Sequence, residues 1–206
     1  MKDTREYLAS EVVTFRSTKE ELGGLSNMAP GFSLNVNGVI IPSAEHLYQA
    51  CRYPLFPAIQ LEIISQKSPM TAKMVSRKHN KFTRQDWAEV RIKIMRWCLE
   101  IKLSQNWEKF SDILLKTGQK PIVEISHKDK IWAAVPEGNK LVGMNALGRL
   151  LMQLREERVK SNSTLRCVEP LPIVGFLLYG SQIEEVCYEP FEEEFRYALL
   201  DRDLVA

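Results

Sequence analysis

The hydrophobic period of the chain changes at Ile41-Pro42, and this change restricts the folds open to it. Before that point apolar residues alternate, with Phe32, Leu34 and Val36 ahead of Asn37-Gly38 and Val39, Ile40 and Ile41 behind it. Alternation around an Asn-Gly pair predicts a small β-hairpin with a tight turn. Beyond it, apolar positions recur at helical spacing in segments punctuated by proline and glycine. Pro42-Ser43-Ala44-Glu45 opens the first helix with Ser43 as N-cap, and Pro54 stops it near Tyr53. A second helix runs from about Pro57 to Gln66, and Ser68-Pro69 opens a third in the cap-then-proline order of an N-terminus. The longest is expected from Thr83 to Leu103, with Trp87, Val90, Ile94, Met95, Trp97, Cys98 and Ile101 on one stripe. Trp107 to Leu115 forms a shorter helix that Gly118 terminates, Pro121 to Ile125 is a short strand, and Leu141 to Glu157 contains a last amphipathic helix, clearest from Ala146. The expected class is mainly α with a small β component (α+β).

A chain of 206 residues with 45% hydrophobic residues and a net charge of +2 has room for a substantial core and is neither a disordered tail nor a collagen-like repeat. The near-balance of charge hides an asymmetry. Up to Lys160 there are 25 basic and 17 acidic residues, and beyond it 3 and 9, so a body of +8 is joined to an extension of −6. The expected organisation is one domain over residues 1–157 and an acidic C-terminal extension over 158–206. In that extension Ser161-Asn162-Ser163-Thr164 reads as a linker, followed by a stretch from Val168 to Tyr179 and by six Glu between Glu184 and Glu194. It offers the body one strand and one helix. From Lys73 to Arg96 eight basic residues face Asp86 and Glu89, as a solvated helical face or a phosphate-facing patch. Cys51, Cys98, Cys167 and Cys187 form no Cys-x-x-Cys pair, which supports neither a zinc knuckle nor a dense disulfide scaffold and makes a reducing cytosol the simplest compartment. Met1 to Val13 has no signal-peptide core, and no window reaches the ~18 apolar residues of a membrane span, so a cytoplasmic protein without a membrane partner is expected.

The phosphate-loop, dinucleotide, nucleophile-elbow and zincin signatures are absent, and three His residues, His46, His79 and His127, leave little for a multi-His metal site. No metal and no cofactor is expected. Carboxylates and aromatics remain. Glu45 starts an apolar helix, where the dipole favours a carboxylate; the plain alternative is a structural first-turn Glu. Asp129 and Trp132 follow a short strand and precede Pro136-Glu137-Gly138-Asn139, which suits a ligand pocket and equally an Asp turn with an anchoring Trp. Glu124, at the strand end, is a further site carboxylate or a solvent-facing position. Carboxylates without a metal fit glycosidic chemistry, in which one group protonates the leaving group and another stabilises an oxocarbenium-like carbon or directs water to it.

Seven segments in register carry a resemblance. They are Phe15 with Leu25-Ser26-Asn27, Pro42 to Ala50, Ser68 to Lys73, Arg84 to Trp87 with Met95 and Lys102, Leu115 to Gly118, Val123-Glu124 with Asp129 and Trp132, and Gly143 to Met152 with Arg155. In this order and spacing, from about residue 13 to 157, the chain resembles the NADAR family, also called YbiA-like. The resemblance implies a mostly helical N-glycosidase fold acting on phosphoribosyl or ADP-ribosyl compounds. One branch is associated with hydrolysis of riboflavin-pathway intermediates. Another removes ADP-ribose from guanine in nucleic acid, as antitoxin to DarT-type ADP-ribosyltransferases. By position, the resemblance implies catalytic roles for Glu45, Asp129 and Trp132 and a ribose and phosphate pocket lined by Ser26, Asn27, Gly143 and Asn145. Arg77 and Glu124 join these as substrate-binding candidates. Three positions depart from the pattern: Arg52 replaces a Lys, Ala133 follows Trp132 in place of Gly, and Ser76 precedes Arg77 in place of Gly.

The function expected first is hydrolysis of the bond between ADP-ribose and guanine in ADP-ribosylated nucleic acid, because a body of +8 with a Lys73–Arg96 cluster suits polynucleotide phosphates. The alternative is hydrolysis of phosphoribosylamino-pyrimidine intermediates of riboflavin biosynthesis. A second class is a non-catalytic module that binds ADP-ribose or NAD, against which the joint retention of Glu45, Asp129 and Trp132 counts. In one variant of the mechanism Lys73 attacks the anomeric carbon and forms a Schiff base with the opened ribose. The expected partners are ADP-ribosylated guanine in nucleic acid or a phosphoribosyl small molecule, with a cognate ADP-ribosyltransferase toxin.

Overall fold

A computed structural model describes residues 3–160 and 167–188, so the expected 161–164 linker and the Glu-rich run past Tyr188 lie outside the described residues. Two short strands, β1 (Arg5–Leu8) and β2 (Val13–Phe15), come first. The hairpin follows as β3 (Leu34–Val36) and β4 (Val39–Ile41), with Leu34 opposite Ile41. Asn37 and Gly38 both take positive φ, 51° and 77°, the turn whose twist matches that of the flanking strands.

Five helices come next: α1 (Ala44–Ala50), α2 (Pro57–Ile64), α3 (Pro69–Lys78), α4 (Trp87–Gln105) and α5 (Trp107–Lys116). The start of α3 is the one expected: the Thr71 amide donates to Ser68 Oγ at 3.1 Å, the Ser68 amide donates to Thr71 Oγ1 at 3.3 Å, and Pro69 opens the helix. Two boundaries differ from expectation. Ser43 sits at the N-cap of α1, but its hydroxyl bonds the His46 ring at 2.8 Å instead of an amide of the first turn. The other His46 ring nitrogen faces the Gln66 carbonyl at 3.0 Å, an acceptor only, so Nε2 carries the proton and Nδ1 accepts from Ser43. The long helix begins at Trp87 instead of Thr83. The Arg84 amide donates to the Arg52 carbonyl at 2.9 Å and Thr83 Oγ1 accepts from Arg52 at 3.2 Å, so this turn serves Arg52 instead of continuing the helix.

Between α5 and the last helix lie β5 (Ile122–Glu124), β6 (Val135–Glu137) and β7 (Lys140–Gly143), and α6 (Ala146–Leu154) then widens into a π-helical stretch over Arg155–Lys160. The strand β5 pairs in parallel with β2, placing Phe15 opposite Glu124, while β7 lies between β1 and β6 in an antiparallel sheet. The core gathers on α4, where Ile94, Met95, Trp97, Cys98, Leu99, Ile101 and Leu103 are buried on several sides by the other helices. All seven residues of α1 are buried as well, so this short helix stands inside the molecule, between α2, α3 and α4.

The described part of the extension packs on the same core. It forms β8 (Cys167–Val168), β9 (Leu177–Leu178), β10 (Ser181–Gln182) and β11 (Val186–Cys187), with β8 paired to β11 and β9 to β10. No helix forms over 167–188, where Pro170, Pro172 and Gly175 interrupt the chain. Trp97 Nε1 donates to the Glu169 carbonyl at 3.0 Å, and its ring meets Phe176 edge-on at 4.8 Å. Gln60, fully buried on α2, donates to the Leu177 carbonyl at 2.9 Å and accepts from the Tyr179 amide at 2.7 Å. Cys167 and Cys187 are joined by a disulfide across β8 and β11. Cysteine spacing gave no sign of this single bond, because strand pairing brings together two thiols that lie 20 residues apart in sequence. Cys51 and Cys98 are buried free thiols. Among the described residues no helix is long and apolar enough to cross a membrane.

Candidate active site

The elements around α1 enclose a cavity of about 680 Å³. Glu45, Tyr48, Gln49 and Arg52 reach it from α1 and its C-terminal turn, Lys73 and Arg77 from α3, Trp87, Arg91 and Met95 from α4, and Glu124 from the end of β5. The loop after β5 contributes Ile125, Ser126, His127, Asp129, Ile131, Trp132 and Ala133, and Arg16, Asn27, Met28 and Leu147 complete the wall.

Glu45 is 2% exposed because the loop after Leu25 docks on the start of α1. The Glu45 amide donates to the Asn27 carbonyl at 3.0 Å, and the Asn27 side-chain amide donates to Glu45 Oε2. Gln49 Nε2 donates to Glu45 Oε1 at 2.9 Å. Which end of the Gln49 amide faces Glu45 is decided by its other contacts: Ser76 Oγ donates to Gln49 Oε1 at 2.6 Å and Arg52 Nη1 does so at 3.3 Å. The serine that departs from the family glycine thus takes part in orienting the site. Burial raises the Glu45 pKa above its ordinary value, while Lys73 and the two amide hydrogen bonds pull it down.

Glu124 differs in kind. Among the described residues its carboxyl accepts no hydrogen bond, and burial, reinforced by Asp129 and Glu45 and opposed by Lys73, pushes its pKa up to about 7. Asp129 is an Asp turn and a cavity residue at once. Its Oδ1 accepts from the amides of Ile131 and Trp132, both at 2.9 Å, which leaves Oδ2 without a donor among the described residues. The Trp132 ring stands edge-on to Tyr48 at 5.6 Å, Tyr48 meets Trp87 at 5.0 Å, and the Arg52 guanidinium lies 5.2 Å over Trp87. Burial, with Glu45 next to it, keeps the Tyr48 phenol protonated.

The sequence candidates divide by placement. Glu45, Lys73, Asp129, Trp132, Asn27, Arg77 and Glu124 line the cavity. Ser26, Gly143 and Asn145 stand behind its wall. Ser26 Oγ accepts from the Met28 amide at 3.1 Å. Asn145, at φ 49°, donates from Nδ2 to the Ile122 carbonyl at 2.8 Å and accepts at Oδ1 from the Glu124 amide at 3.2 Å, which ties α6 to β5. The amides of Met144, Asn145, Ala146 and Leu147 donate to the carbonyls of Lys130, Ala133, Ile131 and Trp132. The donors at the start of α6 are therefore spent on holding the Asp129–Trp132 loop, not on a phosphate. Gly143 allows that close approach, since a Cβ there would lie 2.4 Å from the Ala133 carbonyl oxygen. Gly143→Ala should lower stability by about 2 kcal/mol or more and weaken turnover, read by thermal melting and by hydrolysis rate.

Tyr48, Gln49, Arg52, Trp87 and Arg91 are not among the site residues expected from the sequence, where Arg52 stands out only as a departure from the family pattern. A signal existed: Glu45, Tyr48, Gln49 and Arg52 follow one face at helical spacing, as do Trp87, Arg91 and Met95. The basic run of the sequence also divides. Arg84 pairs with Asp86 at 2.6 Å and Arg96 with Glu157 at 2.6 Å, whereas Lys73, Arg77 and Arg91 turn to the cavity. Arg91 Nε is buried and donates to no acceptor among the described residues.

Comparison with known proteins places these features in a family context. The NADAR domain profile matches residues 14–158. The N-glycosidase YbiA of Escherichia coli (strain K12) is 34% identical over 153 residues, covering 74% of this chain and 92% of that protein. A riboflavin biosynthesis protein of Vibrio vulnificus is 34% identical over 155 residues, 75% of this chain, but the match spans only 41% of that longer protein. The NMR structure of E. coli YbiA superposes with a TM-score of 0.63 at 32% identity, over 73% of this chain and 86% of that one.

Proposed function

The chain belongs to the NADAR domain family, and from that premise we propose that it is an N-glycosidase that hydrolyses the bond between ADP-ribose and guanine in ADP-ribosylated nucleic acid. One observation carries the reading: a single cavity gathers Glu45, Glu124 and Asp129 with the cationic side chains of Arg16, Arg52, Lys73, Arg77 and Arg91. Carboxylates serve the anomeric carbon, and the surplus of cations serves a diphosphate and the neighbouring phosphates of a strand. The unpartnered Nε of Arg91 and the Trp132–Tyr48–Trp87 series give a phosphate oxygen and a flat heterocycle something to bind.

In this mechanism Glu124, half protonated near pH 7, gives its proton to the leaving guanine nitrogen as the bond to C1 of the ribose breaks. Glu45, held by Asn27 and Gln49, stabilises the cationic carbon and the ribose hydroxyls. Asp129 takes the proton of the attacking water at its free Oδ2. In the variant, the Lys73 amine forms the new bond to the carbon, the guanine departs with the proton, and water hydrolyses the imine of the opened ribose. Borohydride added during turnover should trap that adduct in wild type and not in Lys73→Ala; no adduct in either excludes the variant.

The deciding assay supplies purified protein with an ADP-ribosylated guanine oligonucleotide and, separately, with ribosylamino-pyrimidine phosphates. Release of ADP-ribose from the first supports the reading. A second reading, hydrolysis of the pyrimidine intermediates, is favoured by the name of the Vibrio vulnificus relative, and turnover of that compound alone would establish it. Tight binding of ADP-ribose with neither reaction would mean a binding module.

Glu124 adds a pH prediction. Its folded pKa of about 7 lies above the ordinary 4.5, so the fold favours the protonated form. That contribution is complete below about pH 4.5 and is lost as pH rises through 7. Glu124→Gln should therefore match wild type in stability at pH 4 and exceed it at pH 8, by at most about 3 kcal/mol. If Glu124 is the acid, the rate of wild type falls as pH rises past 7, and the same variant loses both that limb and most of its activity.

A further inference from the structure

Lys102, on α4, is 1% exposed, and no carboxylate among the described residues pairs with it. Its Nζ donates to the main-chain carbonyls of Gly24 at 2.5 Å and Ser26 at 3.0 Å, and lies 4.2 Å and 4.1 Å from the ring centres of Phe32 and Phe110. Carbonyl acceptors are directional, so a donor shared by two of them fixes the backbone between them. The next residue is Asn27, whose carbonyl receives the Glu45 amide and whose side chain donates to the Glu45 carboxylate. Nothing in the proposed reaction uses Lys102, yet burying an amino group, charged or neutral, is costly unless its donors are satisfied.

We propose that Lys102 is a positioning residue for Glu45: by pinning the Gly24 and Ser26 carbonyls it aims Asn27 at the Glu45 carboxylate. The inference rests on the glycosidase reading only for the part Glu45 plays in turnover. Burial and the nearby Lys109 both favour the uncharged amine at Lys102. An amine still has two N–H groups for two carbonyls, so the pin holds in either charge state. The groups acting on Glu45 from the surrounding elements are Lys73, Arg52, Tyr48, Glu124 and Cys98, and none of them is altered by a change at Lys102.

The test is a ¹³C carboxyl NMR titration of Glu45, which needs no substrate. In Lys102→Met and in Asn27→Ala the Glu45 midpoint should rise by similar amounts, about one pH unit, because each loses the Asn27 hydrogen bond to the anion. The double variant should rise no further. Lys102→Arg, which keeps N–H donors, should return part of the shift. Phe32→Leu removes a ring and neither carbonyl bond, so it should lower stability and leave the midpoint in place. Lys102→Leu, which also lacks a donor, replaces Lys102→Met should the latter not fold. An unmoved midpoint in the Lys102 variants, shifts that add in the double variant, or an equal shift in Phe32→Leu would overturn the proposal. Failure of wild type to cleave any glycoside would refute the enzyme reading and leave the titration result standing.

Discussion

Replacing Glu45 by Gln should lower kcat/KM by about 10²–10⁴-fold without unfolding the protein, the size of effect expected when a positioned carboxyl acts on the reacting bond. The two readings of Glu45, a site carboxylate or a structural first-turn residue, differ most at this variant. A first-turn carboxylate that serves only the helix dipole contributes under about 1 kcal/mol of stability and is normally solvated. Glu45 is buried, and burial raises its pKa despite two amide donors and Lys73, so the fold holds its charged form at a cost. Removing the charge should leave stability unchanged or higher, less the mismatch of the new amide NH2 against Asn27 Nδ2, since Ser76 and Arg52 hold the direction of Gln49 and so keep Oε1 as its acceptor. Activity lost at intact stability, measured by hydrolysis rate and thermal melting on the same sample, is the expected outcome. Stability lost with activity retained would return Glu45 to a structural role.

The largest stability effect is expected at Trp97→Ala, about 3–5 kcal/mol, or roughly a 10 °C fall in melting temperature for a protein of this size. Trp97 is 1% exposed, stacks edge-on with Phe176 and gives its indole N–H to Glu169, so it joins α4 to the described part of the extension. Deleting residues 161–206 should be similarly harmful, because Val168, Phe176, Leu178, Ile183 and Val186 leave the core with them. The two changes strike one contact, and their combination should cost clearly less than the sum. Additive losses would mean that Trp97 stabilises α4 independently of the extension. An acidic tail read from charge alone suggests a loose appendage, whereas five buried apolar side chains make 167–188 part of the folded body.

Several features were legible from neighbours in the chain. The Asn37-Gly38 turn, the Ser68/Thr71 capping box and the proline that opens α3 each depend on residues within one turn of one another, where local propensity and hydrogen bonding suffice. The resemblance pointed to Glu45, Asp129 and Trp132, and these meet at one cavity. It also pointed to Ser26, Gly143 and Asn145, which stand behind the wall: in the sequence, a residue that holds a loop and one that touches a ligand look alike. Ser43 shows the same limit on a smaller scale, since the partner of its hydroxyl is a ring and not the amide that its position suggests.

The sequence by itself determined the helix and strand periods, the turns, the family and seven of the residues that face the cavity. Only the tertiary structure decided which carboxylate keeps its proton near neutrality, which cations are free to meet a ligand, that Cys167 and Cys187 are joined, and that the acidic extension shares the core. Propensity and capping act across a few residues, but a pKa near 7 at Glu124 comes from lost water and from charges on α1, α3 and the Asp129 loop. Those groups are brought together by packing of elements far apart in the chain, and no local pattern records it.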